Sequence, residues 1–251
     1  MKKNRRKIVN FLMLACAIMF IYSLTNIIIW FIENKKNNNI KEKINKYVEI
    51  NEAKLDDNEE KTEYTIDFLK LKERNADTVA YLKVNNTNID YVVVKGQDNS
   101  YYLKHNFDKE NNRAGWIFMD YHNKLDGNDK NIVIYGHNTR DGSMFGSLRN
   151  VVQKEWYQNK DNHLIKLVLE NKIVTYQVFS TYSINVEDYY INTVFEDNKE
   201  FNDFINVLKK RSVYDYQIDV SGDDSILTLS TCTGNGTKRM VLHAKLISIE
   251  E

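Results

Sequence analysis

The sequence predicts a mainly β domain with added helices, built as an eight-stranded closed or nearly closed barrel. Two observations predict it. Eight short runs rich in β-branched and aromatic residues lie between Val79 and Ile249, separated by turn-forming segments. One longer stretch, Asp197–Arg211, switches to helical spacing and is inserted before the last two runs. Many short strands with few helices fit a barrel, which leaves no strand edge open. The chain has no proline, so its turns are made with Asn, Asp, Gly and Ser.

The N-terminus comes first in the chain and reads as a membrane anchor. MKKNRRK (residues 1–7) carries five basic residues, and residues 8–32 follow without a charge. That run of about 25 residues exceeds both the roughly 20 that span a bilayer core and the 7–15 of a cleavable signal. Leu14-Ala15-Cys16 loosely resembles a lipid-attachment site, but Met13 precedes it and the apolar run continues well beyond. Positive charge is heavier before the run than after it, where Glu33 offsets Lys35 and Lys36. The N-terminus is therefore expected in the cytoplasm and the rest outside, at the cell membrane.

Residues 33–64 are polar, with Ile40, Ile44, Tyr47, Val48 and Leu55 at helical spacing, and are expected to form an extracellular stalk helix with one apolar stripe, as readily a solvated spacer as a binding element. Thr65 is expected to cap a second helix ending at Arg74. The domain proper is expected over residues 65–251. Its strands are expected at Val79–Val84, Ile89–Val94, Trp116–Met119, Ile132–Tyr135, Leu164–Leu169, Ile173–Tyr182, Ile226–Thr231 and Met240–Ile249. Met144–Val152 has helical spacing.

Composition narrows the function. Lys+Arg and Asp+Glu are both 35, which offers no electrostatic case for a nucleic-acid partner. Two cysteines, one of them in the apolar run, exclude a disulfide-stapled fold. No cluster has metal-ligand spacing, and no cofactor or metal is expected.

Cys232 ends the apolar run of Ser225–Arg239 (SILTLSTCTGNGTKR), next to a glycine-containing turn and seven residues before Arg239. A thiol at a strand end near a cation is a candidate nucleophile, and it needs a base or cation to lower its pKa. Among five histidines, His105 and His122 lie in loops without a local signature, and His163 sits in a turn where solvation is expected. His243 alternates along the final strand. His137 follows an apolar strand and Gly136, which frees the backbone, and precedes a polar loop, a common place for chemistry. An arginine at a strand start is usually a solvated edge residue. A compact turn over Thr233–Lys238 would instead bring Arg239 toward Cys232, where a guanidinium can steady an oxyanion.

These residues resemble the sortases, cysteine transpeptidases of Gram-positive bacterial surfaces. Thr228-Leu229-Ser230-Thr231-Cys232 is similar to their TLxTC signature, and Gly136-His137 and Arg239 match the family's histidine and arginine in order. The closer resemblance, over roughly residues 65–251, is to class B. It is carried by Thr78–Val84, Thr87–Tyr91, Tyr102–Phe107, Gly115–Asp120 and the helix inserted before the TLSTC strand. Ala76 and Val92 stand where class B members usually have proline. The Cys232–Arg239 loop is short for the class, with Thr233 and Gly234 where some members are acidic.

The resemblance implies a sortase-type barrel and a thioacyl mechanism without metal. Cys232 attacks the threonine carbonyl of a C-terminal sorting motif in a secreted protein, and His137 protonates the leaving amine. Arg239 steadies the tetrahedral intermediate, and an amine of a peptidoglycan stem or cross-bridge resolves the thioester. By analogy Asn99, Leu103, Ser230, Tyr190 and Ile191 line the motif groove. Competing readings are an extracellular cell-wall cysteine peptidase, an L,D-transpeptidase, whose usual Ser-His-Gly-Cys run is absent, and a non-catalytic adhesion or assembly module on the same barrel.

Overall fold

Helix α1 (Lys2–Asn45) runs unbroken through the whole N-terminal region. The computed structural model describes the backbone of residues 2–54, 60–233 and 238–251, with their side chains except at residues 2–4, 51–54, 60–62, 232 and 233. Among the described residues α1 alone is long and apolar enough to cross a membrane, and its apolar stretch is uncovered by protein. From Glu33 onward one face turns inward. Asn34, Asn37, Ile40 and Ile44 are buried, at the three- and four-residue steps that share a helix face.

The buried asparagines are matched by partners. Asn37 donates through Nδ2 to the Gly115 carbonyl at 3.2 Å and accepts from Asn112 Nδ2 at 2.8 Å. Asn112 Nδ2 also donates to the Glu33 carbonyl at 3.0 Å, and Asn34 donates to the Asp141 carboxylate. These bonds offset the cost of burying amides. The Asn-rich stretch is thus a docking face rather than a solvated spacer.

The expected stalk helix also stops early. After Asn45, β1 (Val48–Lys54) and β2 (Glu60–Ile66) form an antiparallel hairpin, with Val48 opposite Ile66 and Ile50 opposite Tyr64. Those four, with Tyr47, pack against the main core. The period-two alternation of Val48, Ile50, Tyr64 and Ile66 prevails over the helical spacing because it buries both strands on one face. Leu55 lies outside the described residues. Thr65 pairs with Glu49 in the hairpin, so the next helix, α2 (Phe68–Arg74), is capped by Asp67, whose side chain accepts from Lys70 N at 3.0 Å.

The remaining strands are β3 (Thr78–Val84), β4 (Asp90–Val94), β5 (Phe118–Met119), β6 (Asn131–Asn138), β7 (Leu164–Leu169), β8 (Lys172–Asn185), β9 (Ile226–Thr233) and β10 (Lys238–Glu250). They close as an eight-stranded barrel in the order β10-β8-β7-β3-β4-β5-β6-β9, with β9 returning to β10. β4–β5 and β6–β9 are its parallel pairs. β5 is shorter than expected. Gly115, at φ +57°, turns the chain so that Trp116 N donates to the Tyr102 carbonyl instead of joining the ladder. The expected helical segment at Met144–Val152 is a 3₁₀ turn over Gly146–Val152, followed by the short helix α3 (Lys154–Gln158).

Helix α4 (Asn198–Arg211) starts at Asp197, whose carboxylate accepts from Glu200 N at 2.8 Å. It buries Phe201, Ile205 and Leu208 against Phe179, Tyr182 and Val241 on the outside of the barrel. Each such side chain contributes roughly 1.5–3 kcal/mol.

His243 is fully buried on β10. Thr228 Oγ1 donates to Asn131 Oδ1 at 2.7 Å, so it accepts from His243 Nδ1 at 2.9 Å, and His243 Nε2 accepts from the Tyr182 hydroxyl at 2.9 Å. A neutral imidazole satisfies every partner, and burial pushes its pKa down to about 3. The unfolded imidazole takes a proton near pH 6.5, so below that pH the unfolded state binds more protons. Stability is expected to fall as pH drops through this window, by about 2 kcal/mol at pH 5. Denaturant unfolding at neutral pH and at about pH 5 measures this loss, and a His243→Gln variant should lose that part of the slope. An unchanged slope would place the acid sensitivity elsewhere. His163 is also buried rather than solvated, ringed by Trp156, Tyr157 and Tyr216, and burial lowers its pKa as well.

Candidate active site

Parallel strands β6 and β9 bring the candidate nucleophile and base together. Their register runs from Asn131 opposite Ile226 to His137 opposite Cys232 and Asn138 opposite Thr233. Neighbouring strands lie about 4.8 Å apart, so the two backbones meet at the same end of the barrel. His137 therefore sits inside the strand end, not in the loop after it. The turn of residues 234–237 lies outside the described residues, as does the Cys232 side chain.

Gly136 is needed for space. A Cβ there would come within 2.4 Å of Ile117 Cδ1 and 2.8 Å of Phe145 Cγ. The expectation that this glycine frees the backbone gives way to a packing reason. It lets the Ile117 and Phe145 side chains press against the strand just before His137.

The half-buried His137 ring has one nitrogen committed: Nε2 pairs with the Leu103 carbonyl at 2.8 Å. A carbonyl only accepts, so Nε2 carries the hydrogen, and in the neutral ring Nδ1 is the acceptor. The loop beyond is clamped by Arg149, which donates to the Gly146 carbonyl at 2.6 Å and the Thr139 carbonyl at 2.8 Å.

Arg239 stands near the start of β10, with Nη1 donating to the Thr231 carbonyl at 3.4 Å, while Met240 N donates to Thr231 Oγ1 at 2.9 Å. The guanidinium is thereby held beside the residue preceding Cys232. Arg239 also lines a pocket of about 160 Å³ together with Asn99, Leu103, Tyr190, Ile191 and Ser230. All five expected groove residues thus surround one opening. The Tyr190 hydroxyl and Ser230 Oγ are 3.0 Å apart, tying the 3₁₀ turn at Tyr189–Ile191 to β9.

Phe118, Tyr135 and Asp188 line the same pocket, and sequence reasoning missed them. It also missed Asp120, a buried carboxylate behind the groove. One oxygen, Oδ2, accepts from Asn99 Nδ2 at 2.7 Å and from the Tyr135 hydroxyl at 2.7 Å; the other accepts from His122 N at 2.9 Å. A lone Asp after a strand carries no sequence signal of that role.

Asp120→Ala would remove the acceptor shared by two groove residues, and an unmatched buried polar group costs about 1–3 kcal/mol. The expected result is a KM for a groove-binding peptide about tenfold higher, with kcat less affected. Asp120→Asn, which keeps an acceptor oxygen, should recover part of the loss. Steady-state kinetics separates this from a purely structural role, which would lower the melting temperature without moving KM.

The arrangement supplies a thiol-bearing residue, an imidazole that can exchange a proton at Nδ1, a guanidinium and an adjoining groove, the parts of acyl transfer through a thioester. Among the described residues no group of His, Cys, Asp and Glu is placed to hold a metal ion.

A family model described as Sortase domain matches residues 82–247. The chain is 36% identical over 233 residues to sortase B of Listeria monocytogenes, covering 92% of this chain and 93% of that one. A Staphylococcus aureus sortase B–substrate complex is similar with a TM-score of 0.68 at 34% identity, over 72% of this chain and 84% of that chain. A structure of sortase B complexed with triglycine is similar with a TM-score of 0.68 at 34% identity, over 72% of this chain and 85% of that chain.

Proposed function

The chain belongs to the sortase family, in its B class, and from that premise we propose that it is a membrane-anchored transpeptidase with Cys232, His137 and Arg239 as its catalytic residues. It cleaves a C-terminal sorting motif of secreted proteins after threonine and transfers them to a peptidoglycan amine. The observation that carries this reading is the β6–β9 register, which sets His137 opposite Cys232, with Arg239 lining the adjoining groove.

The Cys232 thiolate adds to the threonine carbonyl, and the electron pair moves to oxygen. Arg239 donates hydrogen bonds to that oxyanion. As the tetrahedral intermediate collapses, the C–N bond breaks and the leaving amine takes a proton from imidazolium His137, through Nδ1. The incoming amine gives its proton back to His137, attacks the thioester and expels the thiolate. Asn99, Leu103, Ser230, Tyr190 and Ile191 position the motif. The sortase B structure with a bound substrate supports a groove of this kind, and the one with triglycine supports an amine acceptor.

The uncharged stretch of α1 is the anchor. The basic residues ahead of it favour a cytoplasmic N-terminus and an extracellular barrel. Membership of an enzyme family removes the reading as a silent adhesion module, and the L,D-transpeptidase reading falls with it.

The test incubates the full chain in detergent with a sorting-peptide library, with and without triglycine. Mass spectrometry is expected to show an acyl adduct on Cys232 and, with triglycine, a transpeptidation product. Cleavage without transfer would assign a hydrolase, and absence of any adduct with every peptide would overturn the proposal.

A further inference from the structure

Beside His137 a second opening of about 510 Å³ lies between α1 and the barrel rim. Asn26, Ile27 and Trp30 form the helix wall, and Arg113 and Arg140 stand on the rim with His137. Among the described residues no carboxylate lines it. Arg113 Nη1 donates to Asn26 Oδ1 at 3.1 Å, and its Nε is 3.9 Å from Glu33 Oε2, so Glu33 offsets its charge in part. Arg140 is exposed, while the neighbouring Asp141 carboxylate is engaged by Asn34 and Ser143.

The height of this opening follows from the anchor. About 20 residues cross the hydrocarbon core, so a helix entering at Ile8 leaves it near Ile27. Trp30 then falls where aromatic side chains favour the headgroup layer. The Asn37–Gly115 and Asn112–Glu33 bonds hold the barrel to the helix just beyond that point. Arg113 and Arg140 are thereby carried at the membrane boundary, from which their long side chains can reach the lipid phosphates. A guanidinium fork suits a phosphodiester, and Ile27 and Trp30 suit the start of an acyl chain.

We propose that this opening binds the phosphate headgroup of an anionic phospholipid, so that the His137 side of the active site rests on the membrane surface. The inference depends on the membrane-anchor reading above. It makes the bilayer one wall of the enzyme's working environment, in addition to a means of attachment.

The test uses the full chain in nanodiscs of phosphatidylcholine with or without phosphatidylglycerol, each holding a headgroup-photoreactive analogue of its lipid. Labelling of peptides containing Arg113, Arg140 or Asn26–Trp30 is expected to favour phosphatidylglycerol. An R113Q/R140Q double variant should lower that preference about 30-fold, from the attraction typical of two basic side chains at an anionic surface. R113K/R140K, which keeps the charge but loses the fork, should retain only part of it, and melting temperatures should match the wild type. Equal labelling by both lipids, or a preference unchanged in R113Q/R140Q, would overturn the proposal while leaving the anchor intact. Failure of the chain to enter nanodiscs at all would overturn the anchor reading, and this inference with it.

Discussion

Replacing Cys232 with alanine is expected to abolish thioacyl formation and lower turnover of a sorting peptide by on the order of 10⁴-fold or more. The size of the effect follows from covalent catalysis. Without the sulfur no acyl-enzyme forms, and the remaining groups only orient peptide and water. Intact-protein mass spectrometry of the variant with a cleaved peptide should show no adduct. A parallel assay should show no transfer to triglycine. Because β9 is held on both sides, by β6 and by β10, the variant should melt close to the wild type. Turnover that persists in a folded Cys232→Ala protein would remove Cys232 as the nucleophile.

Arg239→Ala is expected to lower kcat by about 10²–10³-fold, the cost of removing one oxyanion donor. The more discriminating variant is Arg239→Lys. Lysine keeps the charge but loses the planar fork, so it cannot both hold the Thr231 carbonyl and reach toward a substrate oxygen. Most of the activity is therefore expected to be lost with lysine as well. Single-turnover acylation and steady-state kinetics together show whether the loss falls on kcat, as expected for a group acting in the transition state. If lysine supports wild-type rates, Arg239 supplies only charge and its hydrogen-bonding role is wrong.

Legibility in the sequence followed how local the deciding interaction is. The barrel strands were readable because Val, Ile and Tyr runs bounded by Asn and Gly carry their own period. Helix α4 was readable for the same reason, with Phe201, Ile205 and Leu208 on one face. Cys232, His137 and Arg239 were singled out by residue type and position, and the fold brings their backbones to one end of the barrel. The groove residues came only from resemblance, since Asn99 and Ile191 reach one pocket through tertiary folding alone.

Three features were hidden for related reasons. The hairpin of β1 and β2 competes with a helical spacing over the same residues, and only burial against the barrel decides between them. Asn34 and Asn37 read as solvated because their partners, Asp141, Gly115 and Asn112, are far along the chain. Asp120 draws its importance from Asn99 and Tyr135, which lie on either side of it in sequence and meet it only in the fold.

The parallel pairing of β6 with β9 also bears on when this protein becomes reactive. His137 and Cys232 are separated by about 95 residues, and parallel pairing over such a distance is slow to form because loop closure opposes it. On the proposed roles of the two residues, a newly made chain carries a thiol without its base until its last two strands dock. Maturation of the enzyme and closure of the barrel are on that reading one event.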